Sequence, residues 1–313
     1  MQSRFIFQKI GVACWLLALS VGCSRTDTDS GVTPDEACRV QTATSTLSGS
    51  GFNVKTLTTY SYDAAKQLTS QLESYTQSSG NGTIRLDYKY NAEGLVTQRT
   101  RTASENSGST FIRTNSYQYE NGRLVRDVHV DGSTTSTFSY SYDAGGRLVR
   151  YGIGGNTYSF TNGVLTDVDD KGAKAPVIAD GRIVRLFVFN DGKQDFFIHY
   201  SYNAAGQLQK DYLGDAKGVD LNGYVNQYEY TSQPLKEPTP PALKGHPPIE
   251  LFGKPGYRSR EVATAPKANK ARDYTIDIQY KTNNKGYLTE RISTTTGYEP
   301  RLSKIEYTYS NCQ

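Results

Sequence analysis

The sequence predicts an all-β protein, an antiparallel meander of repeated Tyr-rich β-hairpins that forms a large twisted, curled sheet or an open barrel. First, one phrase recurs along the chain: Tyr-x-Tyr, then Asp or Asn, then Gly, then an aliphatic residue. Second, tyrosine is abundant, with 24 residues against 11 Phe and one Trp. Third, beyond the N-terminal segment no stretch of ten residues shows the 3.6-residue periodicity of an amphipathic helix.

The repeats organise the chain and are spaced by roughly 18 to 30 residues. The clearest copies lie at residues 60–68, 88–95, 117–124, 140–148 and 200–208, with weaker ones at 158–165, 178–183 and 278–288. The pairs Tyr228/Tyr230 and Tyr307/Tyr309 resemble first strands whose turns are lost or altered. A meander of about 16–20 strands follows from this count.

Each copy is expected to fold as one hairpin. Side chains alternate along a strand, so Tyr-x-Tyr places both rings on one face. Asn121-Gly122, Asn162-Gly163 and Asp180-Gly181 are typical of two-residue type I′ turns. The longer corners at 143–146 and 203–206 fit a type I turn closed by a G1 bulge.

One copy departs from this rule at its corner. Lys66 stands where Gly146 stands in the copy at 140–148. A residue with a Cβ is strained at positive φ, so this turn must either hold a strained lysine or take another shape. We expect it to be the least regular hairpin.

Residues 234–270 form a Pro-rich insertion, because they contain eight of the eleven prolines. Proline cannot donate to a ladder, so this segment is not expected to be ordinary sheet. An apolar stretch at 249–257 predicts partial packing of the insertion against the β body. The basic residues at 267–272 are interpreted as a solvated loop rather than a binding patch.

The N-terminus predicts export. Arg4 and Lys9 precede a short apolar run, and the sequence Ser20-Val21-Gly22-Cys23 resembles a bacterial lipobox. Residues 1–22 are therefore predicted to be a lipoprotein signal peptide, with Cys23 lipidated and anchoring the protein to the membrane. Ordinary cleavage nearby and free release is the alternative. Residues 23–37 are a flexible polar tether, and residues 38–313 are the β domain.

Two further cysteines lie at the ends of the predicted domain. Cys38 and Cys312 would be exposed to an oxidising compartment after export, so we predict a disulfide that joins the two ends. Two unpaired cysteines at frayed ends are the alternative. A bridge needs Cα atoms closer than about 7 Å, which favours a curled body over a straight one.

No residue set in the sequence carries recognisable chemistry. Without Arg4 and Lys9, 33 basic and 31 acidic residues remain, which gives no electrostatic case for nucleic acid. His129, His199 and His246 stand outside any metal or catalytic motif. No catalytic, metal or cofactor-binding residue is predicted, and no cofactor is expected. The tyrosines are interpreted mainly as structural, with a flat platform for a glycan or peptide as the alternative.

The phrase Tyr140-Ser-Tyr-Asp-Ala-Gly-Gly-Arg-Leu148 resembles the YD repeat of RHS-type proteins. Together with the lipobox-like signal, residues 55–310 resemble the uncharacterised DUF4595-like lipoproteins of Bacteroidota. The resemblance implies a long antiparallel β architecture with rows of tyrosines and a role at the envelope or surface, and it implies no catalytic residues.

The sequence favours a non-enzymatic cell-envelope lipoprotein that acts as a structural or binding module for a glycan or an envelope protein. Its expected location is the outer membrane, on the cell surface or the periplasmic face. The alternative is a carbohydrate-active hydrolase with a pair of carboxylates carried on loops. A concave site with two close, partly buried acids would favour the hydrolase, and a site without them would favour the module.

Overall fold

The structure is a computed structural model. It describes residues 39–77, 80–105, 108–153, 155–169, 174–190, 194–233, 235–236, 246–247, 251–252, 256–264 and 272–310, without the side chains of 221–224. Cys23, Cys38 and Cys312 lie outside these residues, so lipidation and the disulfide stay predictions, as do the signal peptide and the tether. The described residues form twenty β-strands and no α-helix.

The first half of the chain contributes β1 (Arg39–Gly49), β2 (Phe52–Tyr62), β3 (Leu68–Gln77), β4 (Gly80–Tyr90), β5 (Val96–Glu105), β6 (Thr110–Glu120), β7 (Arg123–Asp131), β8 (Thr134–Tyr142), β9 (Leu148–Ile153) and β10 (Asn156–Thr161). The second half contributes β11 (Val164–Val168), β12 (Val177–Ala179), β13 (Arg182–Asn190), β14 (Asp195–Tyr202), β15 (Leu208–Gly214), β16 (Asp220–Tyr230), β17 (Arg258–Thr264), β18 (Tyr274–Thr282), β19 (Leu288–Gly297) and β20 (Arg301–Ser310). The predicted all-β meander is confirmed.

The strands close on themselves into a nearly complete barrel. Apart from β11 and β12, each strand pairs antiparallel with the next, and β20 returns to pair with β1, where Arg39 lies opposite Ser310 and Gly49 opposite Arg301. Among the described residues, β11 and β12 are the one neighbouring pair without a ladder. Closure brings the two ends of the described chain side by side, which is the geometry that the predicted Cys38–Cys312 bridge requires.

The predicted turns are confirmed at the glycine corners. Asn121, Asn162 and Asp180 each adopt positive φ before a glycine that also has positive φ, as a type I′ turn demands. At the longer corner before Arg147, the amide of Gly146 donates to the carbonyl of Asp143 at 2.9 Å, and the ladder shifts by one residue at Tyr142. That shift is the expected bulge.

The corner at Lys66 keeps the regular shape, so the expectation that it is the least regular hairpin was wrong. Lys66 adopts a φ of 68°, close to the 79° of Gly146. Its amide donates to the carbonyl of Asp63 at 2.9 Å, and the Oδ1 of Asp63 accepts the amide of Gln67 at 2.8 Å. The ladder shifts by one residue at Tyr62, as it does at Tyr142, so the lysine accommodates the strain without changing the turn.

Replacing Lys66 with glycine should therefore stabilise the protein. A side chain in the left-handed region costs about 1–2 kcal/mol, and the extra freedom of glycine in the unfolded chain offsets part of the gain. We expect Lys66→Gly to raise the free energy of unfolding by about 0.5–1 kcal/mol in a urea titration. Lys66→Ala keeps a Cβ and is the matched control. If Lys66→Gly were no more stable than Lys66→Ala, the backbone at this position would not be strained by a Cβ.

The two faces of the barrel differ in exposure. In β2, Thr58 is buried and Tyr60 and Tyr62 are half-buried, whereas Lys55, Leu57 and Ser61, on the alternate positions, are exposed. The face that carries the paired tyrosines therefore points inward. The outward positions are largely Thr, Ser and charged residues in exposed ion pairs, so the outer face is solvated.

The core lies where each return strand begins. The aliphatic residue that follows a glycine corner is almost completely buried in five copies: Leu68, Leu95, Leu124, Ile183 and Leu288. Leu124 belongs to one cluster with Tyr117, Tyr119 and Tyr140, and Ile183 belongs to a second cluster that also contains tyrosines. The last residue of the repeated phrase thus supplies the apolar centre, and the tyrosines enclose it.

The interpretation of 234–270 as non-sheet was wrong in part, because β17 lies within it. Residues 258–264 contain no proline and pair with both β16 and β18. The remaining connection replaces the turn lost after Tyr230. We call residues 231–257 the strap. Lys236 joins the sheet through a parallel bridge to Tyr287, so even this segment contributes one ladder position.

Candidate functional site

A row of tyrosine hydroxyls ties neighbouring hairpins together. The second tyrosine of a pair donates its hydroxyl to the backbone carbonyl of a residue that begins the return strand of the previous hairpin. Tyr142 donates to Leu124 at 2.7 Å and Tyr202 to Ile183 at 2.6 Å. The same bond is made by Tyr62, Tyr90, Tyr119, Tyr230 and Tyr309. Tyr257 and Tyr280, which have no tyrosine two residues before them, donate likewise to the carbonyls of Leu235 and Arg258. Phe160 takes this place in one copy and has no hydroxyl to donate.

Burial keeps these phenols protonated. Removal from water raises the pKa of Tyr90 to about 12, and it raises the pKa of Tyr142 to about 12 although Arg123 opposes the shift. A neutral phenol is a hydrogen-bond donor, so the ties persist well into alkaline solution.

Removing a tyrosine hydroxyl from this row should lower the free energy of unfolding more than removing the hydroxyl of an exposed tyrosine. Tyr142→Phe deletes the bond to the Leu124 carbonyl at a half-buried position, which costs about 1–2 kcal/mol. Tyr298→Phe is the control, because Tyr298 is exposed and its loss should stay within about 0.5 kcal/mol. Both are measured by urea unfolding. Equal losses would show that the hydroxyl row contributes no stability of its own.

The strap contacts, through its described residues, the end of the barrel at which the glycine corners lie. It leaves β16 after Tyr230, and its His246 contacts Tyr117 and Tyr119 on β6, ten strands away in a ring of twenty. The hydroxyl of Tyr119 lies 3.2 Å from Nε2 of His246. The strap then reaches β13, where the amide of Ile183 donates to the carbonyl of Leu251 at 3.0 Å.

Under the strap's return lies a cavity of about 410 Å³. Its walls are inward positions of β1 and β17–β20, and Gly256 and Tyr257 of the strap adjoin it. Its charged side chains are Arg258, Glu261, Arg291 and Arg301. The apolar and hydroxyl lining is supplied by Leu47, Ile276, Ile278, Tyr280, Ser293, Thr295 and Ser303.

Arg258 and Glu261 form the fixed charged pair of the cavity. Nη1 of Arg258 lies 3.1 Å from Oε2 of Glu261, and its guanidinium lies 3.9 Å from the ring centre of Tyr228. The pKa of Arg258 is raised, because the surrounding tyrosines and Glu261 outweigh the desolvation that lowers it. Tyr274 donates its hydroxyl to the other oxygen of Glu261 at 3.2 Å.

Arg291 lies on the same wall but has a different environment. Its backbone is paired with that of Tyr280, and its side chain is among those that line the cavity. Among the described residues, its Nε is buried and has no hydrogen-bond partner. Arg301 is occupied by Glu299. Because Glu261 engages Arg258 and Glu299 engages Arg301, Arg291 is the lining arginine to which the described residues supply no carboxylate.

Two inward acids lie near each other at the edge of this region. Asp211 on β15 accepts the hydroxyl of Tyr228 at 2.6 Å and the amide of Asn226 at 2.8 Å. Glu261 lies two strands away on β17, which corresponds to roughly 10 Å between backbones. Both carboxylates accept hydrogen bonds from fixed donors, whereas an acid that protonates a leaving group must offer a proton. The pair lies on strands rather than on the loops expected from the sequence.

The histidines fall in three separate places. His129 pairs with Asp127 at 2.7 Å, and His199 stacks on Tyr212 and bonds to the carbonyl of Asp215. His246 is the strap residue described above. Within the described ranges, no three His, Cys, Asp or Glu side chains are placed to hold a metal ion. The arginines were not singled out by sequence reasoning, because they lie outside the repeated phrase.

Across the described part of the chain, no helix is both long and apolar enough to cross a bilayer.

Comparison with known proteins gives low similarity. No family model matches the chain, and no curated protein matches it. A porin-like protein of Bacteroides uniformis is 14% identical with a TM-score of 0.39, covering 87% of this chain and 96% of that one. A second porin-like protein, from Bacteroides vulgatus, is 10% identical with a TM-score of 0.35 and coverages of 88% and 99%. A TcdB2-TccC3 chain without its hypervariable C-terminal region is 15% identical at a TM-score of 0.30, and the match covers 82% of this chain and 14% of that one.

These values define no family and transfer no function. The likeness to YD-repeat and DUF4595-like proteins therefore stays a resemblance in the repeated phrase, although the hairpins that the phrase predicts are present.

Proposed function

We propose that the protein is a non-enzymatic lipoprotein of the cell envelope that acts as a binding module, with the cavity beneath the strap as its ligand site. The observation that supports this most directly is the cavity itself, whose walls combine apolar side chains with a few charged groups and hydroxyls, as small-molecule sites do. The lipobox-like sequence at 20–23 supports the envelope location, with Cys23 as the membrane anchor.

A glycan is the ligand that we favour over an envelope protein. The site has a volume of about 410 Å³ and is bordered by Gly256 and Tyr257 of the strap, which suits the end of a glycan better than the flat patch of a protein surface. Tyr257 and Tyr280, whose rings meet edge to face with centres 5.9 Å apart, supply its aromatic border.

The test is a binding screen of the purified mature protein in mild detergent against bacterial and host glycans, with release of reducing ends followed in parallel. Binding without release supports the proposal. Failure to bind any glycan, or any isolated envelope protein, would overturn it.

The hydrolase alternative rests on the acid pair Asp211 and Glu261. They lie on β15 and β17, offset by two residues along the ladder, and an inverting enzyme would need their carboxylates roughly 6.5–9.5 Å apart. Cleavage by the wild type that is lost in Asp211→Asn and Glu261→Gln would establish this alternative and contradict a non-enzymatic role.

The membrane anchor is tested separately. Metabolic labelling with an alkyne fatty acid should label the wild type and fail to label Cys23→Ala. A wild type without label would favour ordinary cleavage and release.

A further inference from the structure

We propose that the cavity beneath the strap binds a small acid that carries hydroxyl groups, of which an acidic sugar is the type, with its anionic group held by Arg291 and Arg258. This rests on the proposed function and names the ligand class for the same site.

The charge of the cavity points to an anion. Of its three arginines, Arg258 is engaged by Glu261 and Arg301 by Glu299. Arg291 has a buried Nε without a hydrogen-bond partner among the described residues. The described residues give Arg291 no carboxylate partner, and because its side chain lines the cavity, a planar anion held there can accept two N–H groups of its guanidinium at once.

The remaining lining fits a hydroxylated ring. Ser293, Thr295 and Ser303 place three hydroxyls on adjacent strands of the same wall, and each can donate to and accept from a sugar hydroxyl. Ile276 and Ile278 offer apolar contact for the faces of the ring. A neutral apolar ligand would leave Arg291 and these hydroxyls without partners, and a bare inorganic anion would leave the apolar wall uncovered.

The probes are glucuronate, glucose 6-sulfate and glucose, added to the purified mature protein and followed by isothermal titration calorimetry. We expect at least one of the two acids to bind at millimolar or lower concentration and glucose to bind at least about tenfold more weakly, because a charge-assisted hydrogen bond is worth about 1.5–3 kcal/mol. Tighter binding of glucuronate identifies a carboxylate ligand, and tighter binding of glucose 6-sulfate identifies a sulfate ester.

The matched variants are Arg291→Gln and Arg260→Gln. Arg260 lies on the outer face of β17 next to Glu229 and Asp277, so its loss removes the same charge without touching the cavity. We expect Arg291→Gln to weaken the acid at least about tenfold and Arg260→Gln to leave its affinity within about twofold. Melting curves check that both variants fold. Arg291→Lys keeps the charge but loses the paired N–H donors of the guanidinium, so it should recover only part of the affinity.

Three results would overturn the inference: no binding of either acid, glucose binding as tightly as the acids, or equal losses in Arg291→Gln and Arg260→Gln. Its failure is distinguishable from failure of the proposed function. If neutral glycans bind in the screen while the acids do not bind here, the module stands and the ligand class is wrong.

Discussion

We expect Leu124→Ala to lower the free energy of unfolding by about 3 kcal/mol, within the range of about 2–5 kcal/mol for leucines truncated in protein cores. Leu124 has no exposed surface and packs with Val96 and Tyr117. Its truncation leaves a cavity that the surrounding strands cannot close, because their ladders fix the backbone on both sides. Urea unfolding of both proteins measures the loss.

The control for this substitution is Leu57→Ala on the outer face of β2. Leu57 is 43% exposed, so the same truncation removes little buried area and should cost about 0.5 kcal/mol. Equal losses in the two variants would mean that the face carrying the tyrosines is not the interior.

Acidification should loosen the strap by titrating His246. Burial, reinforced by Arg99, lowers the pKa of His246 to about 4 from about 6.5 in the unfolded chain. Between these two values the unfolded chain binds more protons than the folded one, so stability is fully present above pH 6.5 and is lost as the pH falls toward 4. A shift of this size corresponds to as much as about 3 kcal/mol.

The corresponding variant is His246→Phe, which keeps a ring against Tyr117 and removes the titrating group. Tyr119 retains its bond to the carbonyl of Val96 in this variant. Melting temperatures between pH 7.5 and pH 4.5 should fall steeply for the wild type and less for His246→Phe. Identical pH profiles would show that His246 is not buried against β6.

The hairpins could be predicted from the sequence because their causes are local. Gly146 and Asn121 sit at positive φ where the corner demands it, and the Tyr-x-Tyr spacing alone places two rings on one face. Lys66 shows the limit of this reasoning. Its Cβ predicts strain, but whether the strain changes the turn depends on how firmly the flanking strands hold it.

The cavity could not be predicted in the same way. It unites Leu47 with Arg291 and Arg301, which are distant in sequence and meet only because β20 closes on β1. One signal was available in the sequence. Residues paired across a ladder share a face of the sheet, and Arg291 is paired with Tyr280. The register of the hairpin β18–β19 would therefore have placed Arg291 inside. The contact of His246 with β6 could not be predicted either. The prolines around it exclude regular sheet, but they do not specify where the segment packs.

The central claim is that the repeated hairpins close into a ring through β1 and β20. The side-chain oxygens of Thr42 and Thr308, on these two strands, lie 2.7 Å apart. In a background with Cys38→Ser and Cys312→Ser, the pair Thr42→Cys and Thr308→Cys should form a disulfide under mild oxidation, seen as one linked peptide by non-reducing mass spectrometry. The control pair Thr42→Cys and Thr137→Cys, on β1 and β8, should stay reduced. A first pair that stays reduced, or that links no faster than the control, would contradict a closed ring.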